Sequence, residues 1–497
     1  MNVYSIMSTA IRPSVIKYLK RPTVAANWSI LTLTGLASQM LNMLAIFKIA
    51  RVLQPQGFGE YNLAITTAAV ALVFSALGLR QVLIRECARN ESIGRFIFRK
   101  AMLLRGIAAI VVGIGTMLYA RLIPDPLVTG LQIGILLLFA AQLVWDSIES
   151  VLFGLQQMAI PSIINIVGSL SWVCFIWAIP EVFFSSVTVS VWFALLQIGK
   201  AITLWLWWLH RDKDSGKTVP RQSVKGVSLF RTGVPFYWLA IMTAVSNSIP
   251  VLLLGVRSSQ VEIGLFNAPW RVLAPLLLLL NTGMAALYPV LSKQSAEDQL
   301  GFDRSVKWAA IIIATLGSCL ALCASLIRRE LILVLFGASF MRSADVLMYQ
   351  CWMTLLGGVY YLIGVVLSAR DRQRSLAILS TINAAVTIPF VWFGSMYGAA
   401  GLALGMLASA LVNFPYHWIV FQRTVPTRFS LRRSAMLLLF ISALALPAYV
   451  IPSEGALILR LGVGALALVL TGIVLLRAKR MIPVSSQARN IVVPDLD

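Results

Sequence analysis

The feature that most constrains this chain is a long succession of apolar stretches, each about as long as a membrane-crossing helix. A helix that crosses a bilayer needs about 20 mostly apolar residues. On that measure the sequence predicts fourteen spans. They lie at 27–50, 61–79, 101–123, 127–150, 159–180, 187–209, 232–256, 263–292, 308–327, 344–369, 376–396, 399–421, 434–451 and 455–476.

The overall composition agrees with this pattern. Of the 497 residues, 59% are hydrophobic and only 12% are charged, whereas soluble domains carry about 25% charged residues. A net charge of +22 would suggest nucleic-acid binding in a soluble protein. In a membrane protein the same excess holds the loops on the cytoplasmic side. The sequence therefore predicts an all-α polytopic membrane protein with no nucleic-acid partner.

The distribution of lysine and arginine predicts the orientation. With the N-terminus in the cytoplasm and fourteen spans, 31 of the 41 basic residues fall on the cytoplasmic side, Arg105 among them, and 6 on the opposite side. Four lie within spans: Lys48, Lys200, Arg271 and Arg460. Because basic residues favour cytoplasmic loops, both termini are expected in the cytoplasm.

The longest polar interruption, at 210–231, divides the first twelve spans into six and six. We therefore predict two six-helix lobes followed by a C-terminal helix pair. The expected parts are a cytoplasmic N-terminal segment 1–25, an N-lobe 26–209, a cytoplasmic linker 210–231, a C-lobe 232–421, the pair 434–476 and a cytoplasmic tail 477–497.

A short polar phrase occurs twice. Gly59, Tyr61 and Asn62 in "GFGEYN" align with Gly264, Phe266 and Asn267 in "EIGLFN" at a constant offset of 205 residues. Each copy opens the second span of its half from the same side of the membrane. The lobes are thus predicted to be parallel repeats, related by a pseudo-twofold axis along the membrane normal.

The phrases "GFGEYNLA", "ALGLRQVLIRECAR", "GLFNAPWRVLAPL" and "YGAAGLALG" carry a family resemblance. They resemble the polysaccharide-biosynthesis, or O-antigen-unit flippase, branch of the multidrug/oligosaccharidyl-lipid/polysaccharide exporter superfamily. The resemblance implies a flippase, not an enzyme, that moves an undecaprenyl-pyrophosphate-linked oligosaccharide across the bacterial inner membrane by alternating access. It also implies contact with membrane lipid, and a pathway shared with glycosyltransferases and a polysaccharide polymerase.

Cations within the spans are the candidate substrate-binding residues, because a charge in the bilayer is costly and usually faces an interior cavity. Arg271 lies about 13 Å into its span at 1.5 Å per residue, near the midplane. A guanidinium matches phosphate in a bidentate way, so Arg271 is expected to bind a substrate phosphate. The alternative is an ion pair with an acid on another span.

The other basic candidates have two interpretations each. Lys48 and Arg51 either anchor the outer edge or form the outer part of a cationic lining. Lys200 either faces the cavity or does not. Arg80 and Arg85 either set the topology or meet the lipid headgroup at the inner mouth.

Three acids are candidates for ion coupling or gating. Asp146 and Glu149 are three residues apart and share one helical face near the inner end of a span. They either pair with Arg80, Arg85 or Lys200 as an inner gate, or one of them couples transport to an H⁺ or Na⁺ gradient. Asp345 is a third, weaker candidate at an outer end.

Two other classes of function compete with the flippase. A drug/cation antiporter of the same superfamily would favour acids in the lobes and twelve spans. A membrane polysaccharide polymerase or ligase usually needs a large outer loop, and none is predicted. Five scattered cysteines and two distant histidines give no metal-ligand spacing, so no metal and no cofactor are expected.

The predicted topology can be tested by labelling. In a variant without the five natural cysteines, Ser215→Cys should react with a membrane-impermeant thiol reagent only from the cytoplasmic side. Ser258→Cys, which falls in an outer connection, is the matched control and should react only from outside. Labelling of position 215 from outside would overturn the orientation.

Overall fold

A computed structural model describes residues 24–89, 91–123, 129–213 and 226–424, together with the isolated positions 462, 464 and 469. These ranges are helical, as predicted. The helices are α1 Val24–Ala76, α2 Leu79–Arg89, α3 Glu91–Leu122, α4 Thr129–Gly154, α5 Ala159–Ala178, α6 Ser186–Lys213, α7 Gly226–Asn247, α8 Ile249–Arg257, α9 Gln260–Glu297, α10 Gln299–Leu326, α11 Arg328–Phe336, α12 Ser343–Ala369, α13 Gln373–Gly394 and α14 Gly398–Thr424.

Several predicted parts lie outside the described residues. They are the segment 1–23, the linker positions 214–225, the tail 477–497, and nearly all of the helix pair 434–476, including Arg460. The count of fourteen spans therefore stays a prediction. Within the described ranges, nine helical stretches are long and apolar enough to cross a membrane, or ten if the bent pair Gly233–Asn247 and Ile249–Arg257 forms one span.

Two of these nine stretches are about twice as long as one crossing requires. Leu31–Ala76 has 46 residues and Gln373–Thr424 has 52, against about 20 for a single span. Each is interrupted near its middle. Gln54 has a φ of 59° directly before Pro55, and Gly398, with a φ of 73°, follows a short 3₁₀ turn at Ser395–Tyr397. The interruptions fall where the sequence predicts connections between spans.

Contacts within the chain define two compact units. The first comprises Met1–Leu278, Ile332–Val346 and Ser380–Ser409, and the second comprises Leu279–Leu331, Leu347–Leu379 and Ala410–Asp497. This division does not follow the predicted lobes 26–209 and 232–421, which stay a prediction.

Each unit has an apolar core of its own. The core of the first unit joins α2, α3, α4 and α6 through residues such as Leu83, Ile148 and Leu204, all 0% exposed. The core of the second unit includes Phe302, Val306 and Val366, also 0% exposed. The first of these cores holds together the helices that carry Arg80, Arg105, Asp146 and Lys200.

The two copies of the repeated phrase contact each other within the first unit. A Cβ atom at Gly59 would collide with the backbone carbonyl of Gln260, and one at Gly264 would collide with that of Pro55. The contact is reciprocal, because Gln260 follows Pro55 by the same 205 residues that separate the two glycines. Only glycine allows two backbones to approach so closely.

A second close approach lies where α1 ends. Leu77 and Gly78 both have positive φ, 51° and 66°, and they turn the chain sharply into α2. A Cβ atom at Gly78 would meet the backbone of Gly233 and, at 2.7 Å, the backbone nitrogen of Tyr237. The hydroxyl of Tyr237 donates to the carbonyl of Phe74 at 3.0 Å. The start of α7 is thus held against the end of α1.

The glycine contact predicts a destabilised variant. Gly59→Ala places a methyl group against a backbone carbonyl, which cannot move aside as a side chain can. Overpacking of this kind costs about 1–3 kcal/mol, so the midpoint of thermal unfolding in detergent should fall by several degrees.

Gly106→Ala is the matched control, because no atom lies within 4 Å of a Cβ there and alanine favours a helix. It should leave the midpoint unchanged or raise it. Equal midpoints for Gly59→Ala and Gly106→Ala would contradict the packing described.

Candidate substrate-binding cavity

A polar cavity of about 260 Å³ lies within the first unit, among α1, α5 and α9. Its α1 wall follows a helical period, so one face of that helix supplies most of the lining. The lining residues are Gly35, Ser38, Gln39, Asn42, Met43, Ile46, Asn165, Arg271 and Ala274. Of the predicted site residues, Arg271 is the one that lines this cavity.

Arg271 is held by the repeated phrase. One of its terminal nitrogens, Nη2, donates to Oδ1 of Asn62. Asn62 is fully buried, and its own Nδ2 donates to the carbonyl of Phe58 at 2.7 Å, which orients its oxygen toward the guanidinium. Within the described ranges, no carboxylate forms an ion pair with Arg271. A cation positioned by a neutral amide keeps its full charge available to an anion.

Lys200 is connected to this cavity through Asn165. Its Nζ donates to Oδ1 of Asn165 at 2.8 Å and lies 5.0 Å from the centre of the Trp145 ring. The aliphatic part of Lys200 passes over Gly168, where a Cβ atom would meet its Cδ at 2.7 Å. Lys200 therefore stands behind the cavity wall and does not form its surface.

Lys48 and Arg51 bind carbonyl groups at the ends of helices. Nζ of Lys48 donates to the carbonyls of Trp177 and Ile179 at 3.3 and 3.4 Å, at the end of α5. Arg51 donates through Nε to the carbonyl of Leu335 at 3.2 Å, at the end of α11. The last carbonyls of a helix lack partners within it and favour cations. These contacts support the anchoring interpretation for both residues.

Arg80, Asp146 and Glu149 form a cluster near the C-terminal end of α4. Arg80 binds Asp146 through Nη1 and Glu149 through Nη2, the latter at 2.8 Å. Arg80 is thus one of the three partners named for the two acids. Arg85, by contrast, is exposed and pairs with the adjacent Glu86 at 2.8 Å. Asp345 is exposed in the first turn of α12.

Arg105 is the main residue that sequence reasoning missed. Assigned to the cytoplasmic charges above, it is 0% exposed in the structure. Its Nη1 lies 2.9 Å from Oδ2 of Asp146 and 2.6 Å from Oγ of Ser147, and its Nε donates to the carbonyl of Ala76 at 3.3 Å. It therefore links α1, α3 and α4. Arg105 is the fifth residue of the predicted span 101–123, and that position within a span was the signal that it is buried.

The remaining missed residues are the polar side chains of α1 that line the cavity. Ser38, Gln39 and Asn42 occur inside the first predicted span at a spacing that puts them on one helical face. Polar residues on one side of a membrane-spanning helix indicate a water-filled or protein-filled interior. That periodicity would have found them.

Comparison with known proteins agrees with this architecture. The family model described as "Polysaccharide biosynthesis protein" matches residues 24–295, more than half of the chain. The chain belongs to this family. A search of curated proteins gives no match.

Solved structures similar to this polysaccharide biosynthesis family member are transporters and flippases. They include a lipid II flippase MurJ in an inward closed conformation, at a TM-score of 0.56 and 13% identity over 90% of this chain and 99% of that one. An inward-facing multidrug resistance MATE family transporter of the MOP superfamily has a TM-score of 0.59 and 14% identity over 78% and 96%. A MOP superfamily transporter from Pyrococcus furiosus has a TM-score of 0.54 and 13% identity, over 82% of this chain and 98% of that one. At such identities the likeness shows the fold, that of a multi-pass membrane transporter.

The buried cluster predicts a large effect of Arg105. Arg105→Met leaves Asp146 buried with one cationic partner fewer, and breaking a buried ion pair costs about 3–5 kcal/mol. The midpoint of thermal unfolding should fall strongly. In the double variant Arg105→Met/Asp146→Leu, which removes both charges, part of the loss should be recovered.

Arg85→Met is the matched control, because Arg85 is exposed, and exposed ion pairs contribute about 0–1 kcal/mol. If Arg105→Met and Arg85→Met unfold at the same temperature, the buried contacts of Arg105 do not stabilise the fold.

Proposed function

We propose that this protein is a flippase for an undecaprenyl-pyrophosphate-linked oligosaccharide in the bacterial inner membrane. The observation that carries the proposal is Arg271: a cation deep in a long apolar helix, lining a polar cavity, with a neutral amide as its partner. Arg271 lies eleven residues after the first residue of α9, Gln260, which is about 17 Å along the helix. Burying a charge at that depth is costly, and an anionic substrate would offset the cost.

The substrate class follows from the chemistry of the cavity together with the family. A diphosphate presents acceptor oxygens that suit a guanidinium, and membership of a polysaccharide biosynthesis family supports a sugar-bearing lipid. The lipid tail stays in the bilayer while the headgroup crosses. No covalent bond changes, so the protein acts as a transporter, and glycosyltransferases and a polymerase act before and after it.

The proposed mechanism is alternating access between the two predicted six-span lobes. The cluster of Arg80, Arg105, Asp146 and Glu149 ties α2, α3 and α4 together within the predicted N-lobe, and we assign it to the N-lobe side of an inner gate. Asp146 or Glu149 would also be the group that couples transport to H⁺ or Na⁺. Binding of either ion would weaken the hold of that acid on its arginines.

A drug/cation antiporter is the alternative, and the similarity to MATE transporters favours it. The cavity argues against it. Among its lining residues there is one cation and there are several amides, but no carboxylate. A cationic drug would meet a like charge and no counter-ion, whereas an anion is attracted.

The flippase proposal predicts the effect of changing Arg271. Arg271→Ala should abolish delivery of the surface glycan while the protein level stays normal, because the headgroup loses its only cationic ligand in the cavity lining. Arg271→Lys should retain part of the delivery, since it keeps the charge but loses the bidentate geometry. Glycan on the cell surface is measured alongside protein in the membrane fraction.

Arg374→Ala is the matched control, because Arg374 is exposed in the first turn of α13 and lines no part of the cavity. It should deliver glycan normally. Wild-type delivery by Arg271→Ala would refute the proposed role of this residue.

A further inference from the structure

A short segment of the predicted C-lobe packs against the first helix of the predicted N-lobe. The segment Ile332–Val346, called the strap here, comprises the end of α11, a 3₁₀ turn at Ala338–Phe340 and the start of α12. It belongs to the same compact unit as α1, whereas the residues before and after it, Leu279–Leu331 and Leu347–Leu379, belong to the other unit. By the predicted topology this connection lies on the outer side of the membrane.

Two phenylalanines of the strap pack against phenylalanines of α1. The ring of Phe336 lies edge-on to that of Phe47, with ring centres 5.3 Å apart, and 6.5 Å from that of Phe58. The ring of Phe340 lies 5.7 Å from that of Phe58. Phe58, Phe336 and Phe340 are each at most 1% exposed. Aromatic pairs at such distances stabilise packing beyond the burial of apolar area alone, so the strap is held firmly to α1.

Arg51 of α1 binds the strap beside these rings. It donates through Nε to the carbonyl of Leu335 at 3.2 Å and through Nη2 to the carbonyl of Val334. The chain then turns at Gly337, whose φ of 95° favours glycine. No atom lies within 4 Å of a Cβ at this position, so the turn, and not packing, calls for glycine there. The turn allows phenylalanines on both of its sides to contact the same ring of α1.

The other end of the strap is fixed to α9. Oγ of Ser343 donates to the carbonyl of Leu265 at 2.9 Å, and Nη2 of Arg342 lies 2.7 Å from Oε1 of Glu262. Glu262 also accepts from the backbone N–H of Ala399 at 2.7 Å, at the start of α14. Because α9, α12 and α14 all belong to the predicted C-lobe, this end of the strap stays within its own lobe while the other end reaches α1.

The strap contacts α1 directly beside the glycine crossing. Phe58 precedes Gly59, whose backbone meets that of Gln260 at the start of α9. This crossing joins a helix of the predicted N-lobe to one of the predicted C-lobe, and the strap adds side-chain contacts to it. For the lobes to separate at this end, the two strap phenylalanines have to leave Phe58, and Arg51 has to release its two carbonyl groups.

We infer that the strap is an outer latch. While it is bound to α1 it keeps the cavity closed on the outer side, and when the lobes part it leaves α1 and stays with α9. This rests on the alternating access of the proposed function, because only a protein that opens on both sides needs such a contact, but it does not depend on which substrate is carried. Phe336 and Phe340 of the strap and Phe58 of α1 form the latch.

The first experiment loosens the latch in the full-length protein. In a chain without the five natural cysteines, Ser38→Cys places a thiol in the cavity lining, and a membrane-impermeant thiol reagent is added from the outer side. Adding Phe336→Leu removes the aromatic contacts of that residue with α1. The labelling rate should then rise about threefold to tenfold, as expected for the loss of an aromatic pair.

Phe98→Leu is the matched control. Phe98 is 5% exposed and packs on Trp208, in a core to which the strap contributes no residue. This variant should leave the labelling rate of the cavity thiol unchanged. An unchanged rate in Phe336→Leu, or an equal rise in Phe98→Leu, would overturn the inference.

The second experiment locks the latch. Arg51→Cys/Val334→Cys places thiols at two exposed positions on either side of the contact. In growing cells, joining them with a thiol cross-linker that a reductant cleaves should stop the delivery of newly made surface glycan. Cleaving the linker should restore delivery, which shows that the variant is folded.

Glu262→Cys/Arg342→Cys is the matched pair for the cross-link. These side chains are 2.7 Å apart and both belong to the predicted C-lobe, so the same linker should leave delivery unchanged. Each pair is compared with itself before and after the linker is cleaved. Continued delivery while Arg51→Cys and Val334→Cys are joined would overturn the latch.

The two proposals fail separately, because the labelling experiment needs no substrate. If Phe336→Leu raises the labelling of Ser38→Cys while Arg271→Ala still delivers glycan, the latch is retained and the proposed role of Arg271 fails. If Arg271→Ala abolishes delivery while the cross-linked pair at positions 51 and 334 still delivers, the latch fails and the proposed function is retained.

Discussion

The cost of placing charge inside a bilayer governs how this structure is organised. Moving a charged side chain to the centre of a membrane costs at least about 2.5–3.5 kcal/mol, so each one needs a partner or a purpose. Arg105 meets this condition by full burial against Asp146, Ser147 and the end of α1. Lys48 and Arg51 meet it at helix ends, where carbonyl groups have no partner within the helix.

Arg271 meets the condition differently, and that difference points to transport. Its partner is the amide of Asn62, which neutralises none of its charge, and the cavity beside it is polar. Lys200 is also held by an amide, that of Asn165. The neighbouring carboxylate, Glu149, accepts hydrogen bonds from Trp145 and Arg80 instead. Arg105, Lys48 and Arg51 are thus fixed by a carboxylate or by helix ends, whereas Arg271 and Lys200 are held by amides.

The sequence predicts the helical fold well because apolar length is a local property. The break at Gln54–Pro55 and the turn at Gly398 fall where polar residues interrupt apolar runs. Arg271 could be singled out because a lone arginine in such a run has few explanations. Arg105 was missed although it lies within a predicted span, because charge counting assigns a residue near a span's end to the adjacent loop, and only packing shows that Asp146 lies within reach. The α1 wall was missed because serine, glutamine and asparagine carry no net charge.

The reciprocal contact between Gly59 and Gly264 has a mechanical consequence. Side chains that interlock hold a helix crossing at one angle, because any rotation forces several rotamers to change together. At this crossing backbone meets backbone at Gly59 and Gly264, so at the point of contact itself no side chain has to move when the helices rotate. Asn62, one turn beyond Gly59, would turn with it and shift the guanidinium that it holds. A swivel at this crossing would in this way reorient the guanidinium of Arg271.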